Sequence, residues 1–330
     1  MGRTVRFSRR AGIALLFPAA LLAACGGTST SGGTGTPAST PAAGPTMQAT
    51  IAAEVPAAVK ADAPLQIATD ASYAPNEFVD LNGNLVGWDI DLAKDVCKVL
   101  GIPCTINNVT FSDIIPSLLE SPSKYQMSFS SYTPTTAREA KGIDFITYYQ
   151  AGEAWLVKTG GATISKAADM CGHAVAVEAG TTEEADAWGY MGMQPGGVKI
   201  TGDTDNCTSA GKTDITVDSF DTQTEANAAL ISGRADFGWA DQPVADYQVK
   251  LESGKLAIGG SACSVYPYGV AIVKSLGLDQ AVEDAIKYLI DNNFYTPILK
   301  SWGVQDGAIT STAVGVNDNN AVGSTCVPAY

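Results

Sequence analysis

Residues 65–101 read LQIATDASYAPNEFVDLNGNLVGWDIDLAKDVCKVLG and contain one complete strand–loop–helix unit. The apolar run LQIAT (65–69) predicts a buried β-strand because it is short and bounded by turn-forming residues. Apolar residues recur at helical spacing from Asp89 to Leu100, which predicts an amphipathic helix that ends at Gly101. The unit therefore indicates an α/β fold.

The alternation of strand and helix continues along the chain and then restarts. The first group has a helix opened by Phe111, with Ser112 as its N-cap, and a strand near 126–130. The second group comprises a strand and turn (173–180), a capping box of Thr181 and Glu184, a helix (221–232), a strand (236–240), a helix capped by Asp241, a strand (268–273) and a helix (278–301). This order predicts two α/β units, with the chain crossing between them near 150–155 and 260–267.

The first residues have the composition of an export signal. Four arginines precede a short apolar segment, and Leu22-Ala23-Ala24-Cys25 resembles the lipobox of bacterial lipoproteins. We expect residues 1–24 to be a signal peptide, Cys25 to be lipidated, and residues 25–61 to be a flexible tether rich in Gly, Ser, Thr, Pro and Ala. An ordinary signal peptide and a twin-arginine signal are the alternatives.

Composition restricts the partners of the chain. The formal charge is −14, and removal of the four arginines in the signal makes it −18. Such an acidic chain is not expected to bind nucleic acid. We therefore expect a globular protein outside the cytoplasm, attached to the cell membrane through lipid.

Six cysteines remain after Cys25, and an even number in an exported chain indicates disulfides. Six cysteines allow 15 pairings, so the sequence alone does not fix them. Loop lengths favour Cys97–Cys104 and Cys171–Cys207, which leaves Cys263–Cys326. A metal site would need closely paired cysteines or more histidines than the single His173, so no metal and no cofactor are expected.

The segment SSYTPTTAR (130–138) carries the strongest functional signal. Arg138 offers a planar fork of donors that matches a carboxylate. Ser130, Ser131 and Thr133 place short hydroxyl groups nearby. This combination predicts capture of a small zwitterion without chemical change.

Seven motifs, in this order, resemble the family 3 extracellular solute-binding proteins, the polar amino-acid receptors of bacterial ABC importers. They are TDASYAP (69–75), GWDIDLAKDVC (87–97), FSDIIPSL (111–118), SSYTPTTAR (130–138), IDFITYYQAG (143–152), VAVEAGTT (175–182) and GRADFGWADQPVADY (233–247). The resemblance covers nearly all of 62–305. It implies a periplasmic-binding-protein-like fold of type II, in which two α/β lobes are joined by a two-strand hinge. Lobe 1 would contain residues 62–152 and 264–330, and lobe 2 residues 153–263.

The resemblance also implies a role for each motif residue. Arg138 would bind the ligand α-carboxylate together with Thr182 and the Thr181 backbone. The α-ammonium would bind Asp241, with the Ser131 carbonyl and the Thr133 hydroxyl beside it. Tyr73 and Phe111 would enclose the ligand side chain, and Asp70 would reach its end. The spacing from Cys97 to Cys104 also matches a disulfide of basic-amino-acid and histidine receptors.

Side-chain preference depends on the far end of the pocket. Asp70 and Glu178, close to it by motif position, would repel acidic ligands and favour a cation or an amide donor. We therefore expect arginine, lysine, ornithine or histidine, with glutamine next. Asn76, where the family has an aromatic residue, and Gln126, where it often has Asp, depart from the pattern and make the preference less specific.

The implied function is that of a monomeric substrate-binding lipoprotein that delivers an amino acid to an ABC permease by hinge closure. Two alternatives use the same fold: an amino-acid-sensing lipoprotein and a dehydratase-like enzyme. The enzyme would need a general acid or base in the cleft. The only histidine lies away from the motifs, so no enzymatic activity is expected.

Overall fold

The computed structural model describes residues 44–260 and 263–319. The strands are β1 Leu65–Thr69, β2 Ser72–Tyr73, β3 Glu77–Val79, β4 Leu85–Val86, β5 Cys104–Asn108, β6 Met127–Tyr132, β7 Ile143–Lys158, β8 Ala174–Glu178, β9 Met193–Gln194, β10 Val198–Lys199, β11 Thr216–Phe220, β12 Phe237–Asp241, β13 Leu256–Ile258 and β14 Cys263–Val273. The helices are α1 Ala49–Glu54, α2 Ala57–Ala61, α3 Trp88–Leu100, α4 Phe111–Leu118, α5 Thr136–Glu139, α6 Thr182–Gly189, α7 Asn206–Ser209, α8 Gln223–Ser232, α9 Gln242–Leu251, α10 Asp279–Asp291 and α11 Tyr295–Trp302. Strands and helices alternate, so the predicted α/β class is confirmed.

Nine of the strands form one mixed sheet in the order β11-β8-β12-β7-β14-β6-β1-β5, with β13 paired to β7. β1 is parallel to β5 and β6 on one side, and β8 is parallel to β11 and β12 on the other. The carboxyl ends of these parallel strands carry the loops that hold the predicted site residues. This placement follows the general rule that ligands bind beyond the carboxyl ends of strands in open α/β sheets.

Two long strands, β7 and β14, join the two halves. Residues 143–153 of β7 pair with β14, and residues 153–157 pair with β12, so β7 changes partner at Glu153. This residue falls within the range predicted for the first crossing. Each half packs around its own hydrophobic cluster, one containing Trp88 and Phe129 and the other containing Trp155 and Trp239. The fold is thus the two-lobed, two-strand-hinge architecture, while the lobe boundaries given above stay a prediction.

The expected tether does not extend to residue 61. α1, α2 and the residues between them pack on the first half and bury Ile51, Val55 and Val59, which are 8, 2 and 4 % exposed. The backbone N–H of Gln48 also donates to the carbonyl of Val99 at 3.0 Å. These three apolar residues recur every four positions and form one face, a pattern that the high content of Ala and Pro obscures.

Two predicted helix limits are wrong. α4 begins two residues earlier than a Ser112 cap would require: Thr110 has the N-cap position, and Ser112 lies in the first turn. The helix predicted over 278–301 is interrupted after Asp291, because Asn293 takes a left-handed conformation with φ 59° and ends α10. The remainder forms the separate helix α11.

Disulfides join Cys97 to Cys104 and Cys171 to Cys207, as predicted. The predicted pairing of Cys263 with Cys326 and the lipidation of Cys25 lie outside the described residues. Over the ranges that the structure describes, no helix combines the length and apolarity needed to cross a membrane.

Candidate ligand-binding site

A cavity lies among the loops that follow β1, β6, β8 and β12. All ten residues predicted from the sequence line it: Asp70, Tyr73, Phe111, Ser130, Ser131, Thr133, Arg138, Thr181, Thr182 and Asp241. Three glutamates that were not among those ten complete the wall: Glu77, Glu178 and Glu183. The tertiary structure therefore brings residues separated by up to 171 positions into one site, although their contacts with a ligand stay a prediction.

Arg138 lies on the short helix α5, whose N-cap Thr135 accepts a hydrogen bond from the Arg138 backbone N–H. Its guanidinium packs over the rings of Tyr132 and Phe111, at 5.0 and 5.6 Å from their centroids. Nη1 donates to the carbonyl of Thr133 at 2.6 Å, and Nη2 donates to the carbonyl of Gly180 at 2.8 Å. These neutral partners fix the plane of the guanidinium and leave its charge available for an anion.

The Ser130–Ser131 segment is positioned by a hydrogen bond to the buried carboxylate of Asp89. Ser131 has a left-handed backbone with φ 52°, and its N–H donates to Oδ2 of Asp89 at 3.0 Å. The Tyr148 hydroxyl donates to the same oxygen at 2.7 Å. Asp89 belongs to the GWDIDLA motif and is fully buried. Its role is thus to position the loop, not to contact a ligand.

The start of α6 contributes a second set of polar groups. Thr181 is the N-cap, and its hydroxyl accepts from the N–H of Glu184 at 3.2 Å. The carboxylate of Glu184 accepts from the N–H of Gly180 at 2.7 Å, one residue before the position expected for a capping box. The helix therefore begins as predicted and directs its first N–H groups, with their partial positive charge, toward the cavity.

Asp241 ends β12 and occupies the N-cap position of α9, but its side chain makes no capping hydrogen bond. Oδ2 instead accepts from the Tyr73 hydroxyl at 3.0 Å. The prediction that Asp241 caps α9 is therefore wrong for the side chain. Its carboxylate is turned into the cavity, where an ammonium group would need it.

Asp70 has a structural role in addition to lining the cavity. Its Oδ2 accepts from the N–H of Phe111 at 2.7 Å, and its Oδ1 accepts from the N–H of Ser72. The carboxylate thereby caps the N-terminus of α4 from the loop that follows β1. This bond fixes Phe111, whose ring stacks on Tyr132 with centroids 4.3 Å apart.

Glu178 ends β8 and links the two halves of the protein. Its Oε1 accepts from the hydroxyl of Ser72 at 3.2 Å and from the backbone N–H of Gln223 at 3.0 Å. Glu77 lies nearby and accepts from the Ser130 hydroxyl at 3.2 Å. Both glutamates are at most 2 % exposed, so their carboxylates are directed into the protein and the cavity.

The cavity wall is strongly acidic. Five carboxylates line it, from Asp70, Glu77, Glu178, Glu183 and Asp241, against the single guanidinium of Arg138. Burial raises the pKa of every one of these carboxyls, and repulsion between Asp70 and Glu178 raises the pKa of Glu178 further. The Arg138 charge works in the opposite direction on Asp241 and Glu183. A cationic ligand would relieve this excess of negative charge.

The single histidine does not line the cavity. Nδ1 of His173 lies 3.1 Å from Oδ2 of Asp236 at the surface. In the described part of the chain, no cluster of His, Cys, Asp or Glu side chains has an arrangement that could hold a metal ion.

Glu77 and Glu183 were missed because sequence motifs place them beside, and not at, the recognised positions. Glu77 follows Asn76. The side-chain Nδ2 of Asn76 donates to the Ser131 hydroxyl at 2.9 Å, and its side-chain Oδ1 accepts from the Trp88 indole N–H. Glu183 follows Thr182 directly. The sequence offered a signal for both glutamates, because an acidic residue directly beside a ligand-binding loop is a candidate to line the binding site.

The fold and the cavity define a two-lobed solute-binding protein with a site between the lobes. Residues 65–305 match the bacterial extracellular solute-binding proteins, family 3, and the chain belongs to this family. The arginine-binding protein ArgT of Corynebacterium glutamicum is 29 % identical over 264 residues, which are 80 % of this chain and 82 % of that protein. The histidine-binding periplasmic protein of Salmonella typhimurium is 35 % identical over 137 residues, 41 % of this chain and 51 % of that protein.

Solved structures agree with this assignment. An ancestral arginine-binding protein bound to arginine has a TM-score of 0.61 and 32 % identity, covering 72 % of this chain and 97 % of that one. A second structure, the ancestral amino acid-binding protein AncCDT-1, described as a precursor of cyclohexadienyl dehydratase, has a TM-score of 0.60 and 30 % identity. It covers 74 % of this chain and 97 % of that one.

Proposed function

We propose that this protein is the substrate-binding component of an ABC importer and that it captures a basic amino acid, with arginine the first candidate. The observation that carries the proposal is the charge pattern of the cavity. Arg138 interacts electrostatically with Asp241 and Glu183, whereas a separate group of three carboxylates, from Asp70, Glu77 and Glu178, has no cation among the described residues that line the cavity.

The two groups of charges match the two ends of a basic amino acid. The α-carboxylate would bind the Arg138 guanidinium and the first N–H groups of α6, and the α-ammonium would bind Asp241. The cationic end of the side chain would then meet Asp70, Glu77 and Glu178. Glutamate or aspartate would place a further carboxylate among these three and would be rejected.

Closure of the cleft is built into the same residues. The hydrogen bonds that cross between the halves include those of the Tyr73 hydroxyl with Asp241, of the Arg138 guanidinium with the carbonyl of Gly180, and of the Ser72 hydroxyl with Glu178. A ligand that binds to both halves adds to these contacts only in the closed form. It therefore shifts the population toward closure, and the closed form would be the one that a membrane permease recognises.

The relatives support the choice of ligand. Their names refer to arginine and histidine, and one ancestral arginine-binding protein was solved with glutamine. The dehydratase precursor keeps an enzyme as the second candidate. The cavity favours binding, because its charged groups match the two ends of a basic amino acid.

The decisive experiment is isothermal titration after unfolding and refolding to remove bound ligand. The ligands are arginine, lysine, histidine, glutamine and glutamate. We expect saturable binding of arginine, no binding of glutamate, and a loss of about 2–5 kcal/mol in Arg138→Ala. Arg234→Ala is the matched control, because Arg234 packs over Phe220 outside the cavity. Arginine binding that survives in Arg138→Ala would contradict the assigned site.

The cellular role has its own test. Uptake of labelled arginine should fall in cells that lack the protein, whereas a sensor would change transcription and leave uptake intact. We also propose that Cys25 carries the lipid that anchors the protein outside the cytoplasm. Cys25→Ala should release the protein from the membrane fraction, and retention of this variant would contradict the anchor.

A further inference from the structure

Glu183 is the second residue of α6 and lines the cavity beside the proposed carboxylate site. Its side chain is almost fully buried, with 2 % of its surface exposed. Oε2 accepts from the hydroxyl of Thr182 at 3.3 Å, while Oε1 is buried and has no hydrogen-bond partner among the described residues. A buried carboxylate oxygen without a donor is costly, so this arrangement calls for a functional explanation.

The surroundings of Glu183 are those of an anion site. The first N–H groups of a helix have no partners within the helix and attract negative charge. Arg138, from α5, is the cation that lines the same cavity, and both of its terminal nitrogens donate to neutral carbonyls. The Glu183 carboxylate thus places a negative charge beside the groups that would bind a ligand carboxylate.

We propose that Glu183 is an internal competitor of the ligand: its carboxylate lies beside the anion site at the start of α6, and an amino acid must displace or neutralise it to bind. The inference rests on the proposed function, because it assigns the same site to the ligand α-carboxylate. Two carboxylates side by side in a buried site repel each other strongly, and the ligand carboxylate has the freedom to approach only if Glu183 moves or takes up a proton.

Ionisable groups on several elements act on Glu183. They are Arg138 on α5, Asp241 at the end of β12, Glu153 on β7, Asp186 on α6, and Glu178 and Tyr73 across the cavity. Burial raises the pKa of Glu183, whereas the Thr182 hydroxyl and Arg138 lower it. A ligand carboxylate at Arg138 would weaken that last effect. Binding of an amino acid is therefore coupled to proton uptake at Glu183.

The test compares arginine with agmatine, which keeps the guanidinium and the amine but lacks the carboxylate. Both are titrated at pH 8 into the unaltered protein and into Glu183→Gln, which keeps the shape and removes the charge. We expect the substitution to raise the affinity for arginine about tenfold relative to agmatine. Glu225→Gln is the control, because Glu225 is an exposed acidic residue in the first turn of α8, outside the cavity.

A second measurement uses the unaltered protein alone. Titrations in two buffers of different ionisation enthalpy give the number of protons taken up on binding, and we expect arginine to take up more protons than agmatine between pH 6 and 8. Equal proton uptake, or weaker arginine binding in Glu183→Gln than in the unaltered protein, would overturn the inference and leave the proposed function intact. Failure of every amino acid to bind to the unaltered protein would refute the proposed function and this inference with it.

Discussion

The Tyr73 hydroxyl oxygen makes two hydrogen bonds to one residue of the opposite half: it donates to Oδ2 of Asp241 and accepts from the Asp241 backbone N–H, each at 3.0 Å. Tyr73 ends the short strand β2, and Asp241 ends β12. The pair therefore fixes the carboxylate that is proposed for the ligand ammonium. It also holds the two halves together at the cavity.

Tyr73→Phe should weaken arginine binding, because Asp241 loses a donor and one contact across the cleft disappears. We expect a loss of about 1 kcal/mol, or roughly fivefold in Kd. Isothermal titration measures it, with Tyr288→Phe as a control that alters a ring remote from the cavity. An unchanged Kd in Tyr73→Phe would show that the pair is not part of ligand recognition.

Glu178→Gln should change the selectivity for the ligand side chain. Glutamine keeps an oxygen that can accept from Ser72 and from the Gln223 N–H, so the link between the halves is preserved while one negative charge is removed. Arginine should bind about tenfold more weakly. Citrulline, which is neutral and has nearly the same shape, should be affected little. An equal loss for both ligands would mean that Glu178 acts through structure and not through charge.

Stability without ligand should fall as the pH rises from about 4 to about 7. Burial raises the pKa of Asp89 to about 6 and that of Asp186 to about 7, so the folded protein holds protons that the unfolded chain has already released. The stabilising contribution is complete below the unfolded pKa near 4 and is lost as the pH passes the folded values.

Thermal unfolding of the ligand-free protein at pH 5 and pH 8 checks this prediction. Tm should be lower at pH 8 than at pH 5. A ligand-free Tm that increases from pH 5 to pH 8 would contradict the role given to the buried carboxyls.

Removal of residues 1–61 should destabilise the protein, whereas a protein that begins at Gly44 should retain its full stability. The longer deletion removes Ile51, Val55 and Val59 from the core, and each such side chain contributes about 1.5–3 kcal/mol when buried. The arginine Kd should be the same for both, since neither α1 nor α2 lines the cavity. Equal Tm values for the two proteins would show that the helices add nothing to stability.

Much of the site could be predicted because its residues belong to contiguous motifs. The order of strand and helix indicated the α/β class, and the arginine loop and the start of α6 could be recognised from residue type and spacing. Local rules were less successful where the partner lies far along the chain. The cap of α4 comes from Asp70, 41 residues earlier, and no local pattern around Ser112 contains that information.

The sequence by itself determined the family and the residues that carry charge, because these depend on residue identity and on short-range spacing. Loop lengths in the sequence favoured the two disulfides that the structure contains. Only the tertiary structure decided which charges meet. The fold places Glu77, Glu178 and Glu183 in one buried cavity with Asp70 and Asp241. The Asp241 side chain does not cap its helix but accepts a hydrogen bond from Tyr73. Electrostatic interactions depend on distance in space and on removal from water, and neither follows from position along the chain.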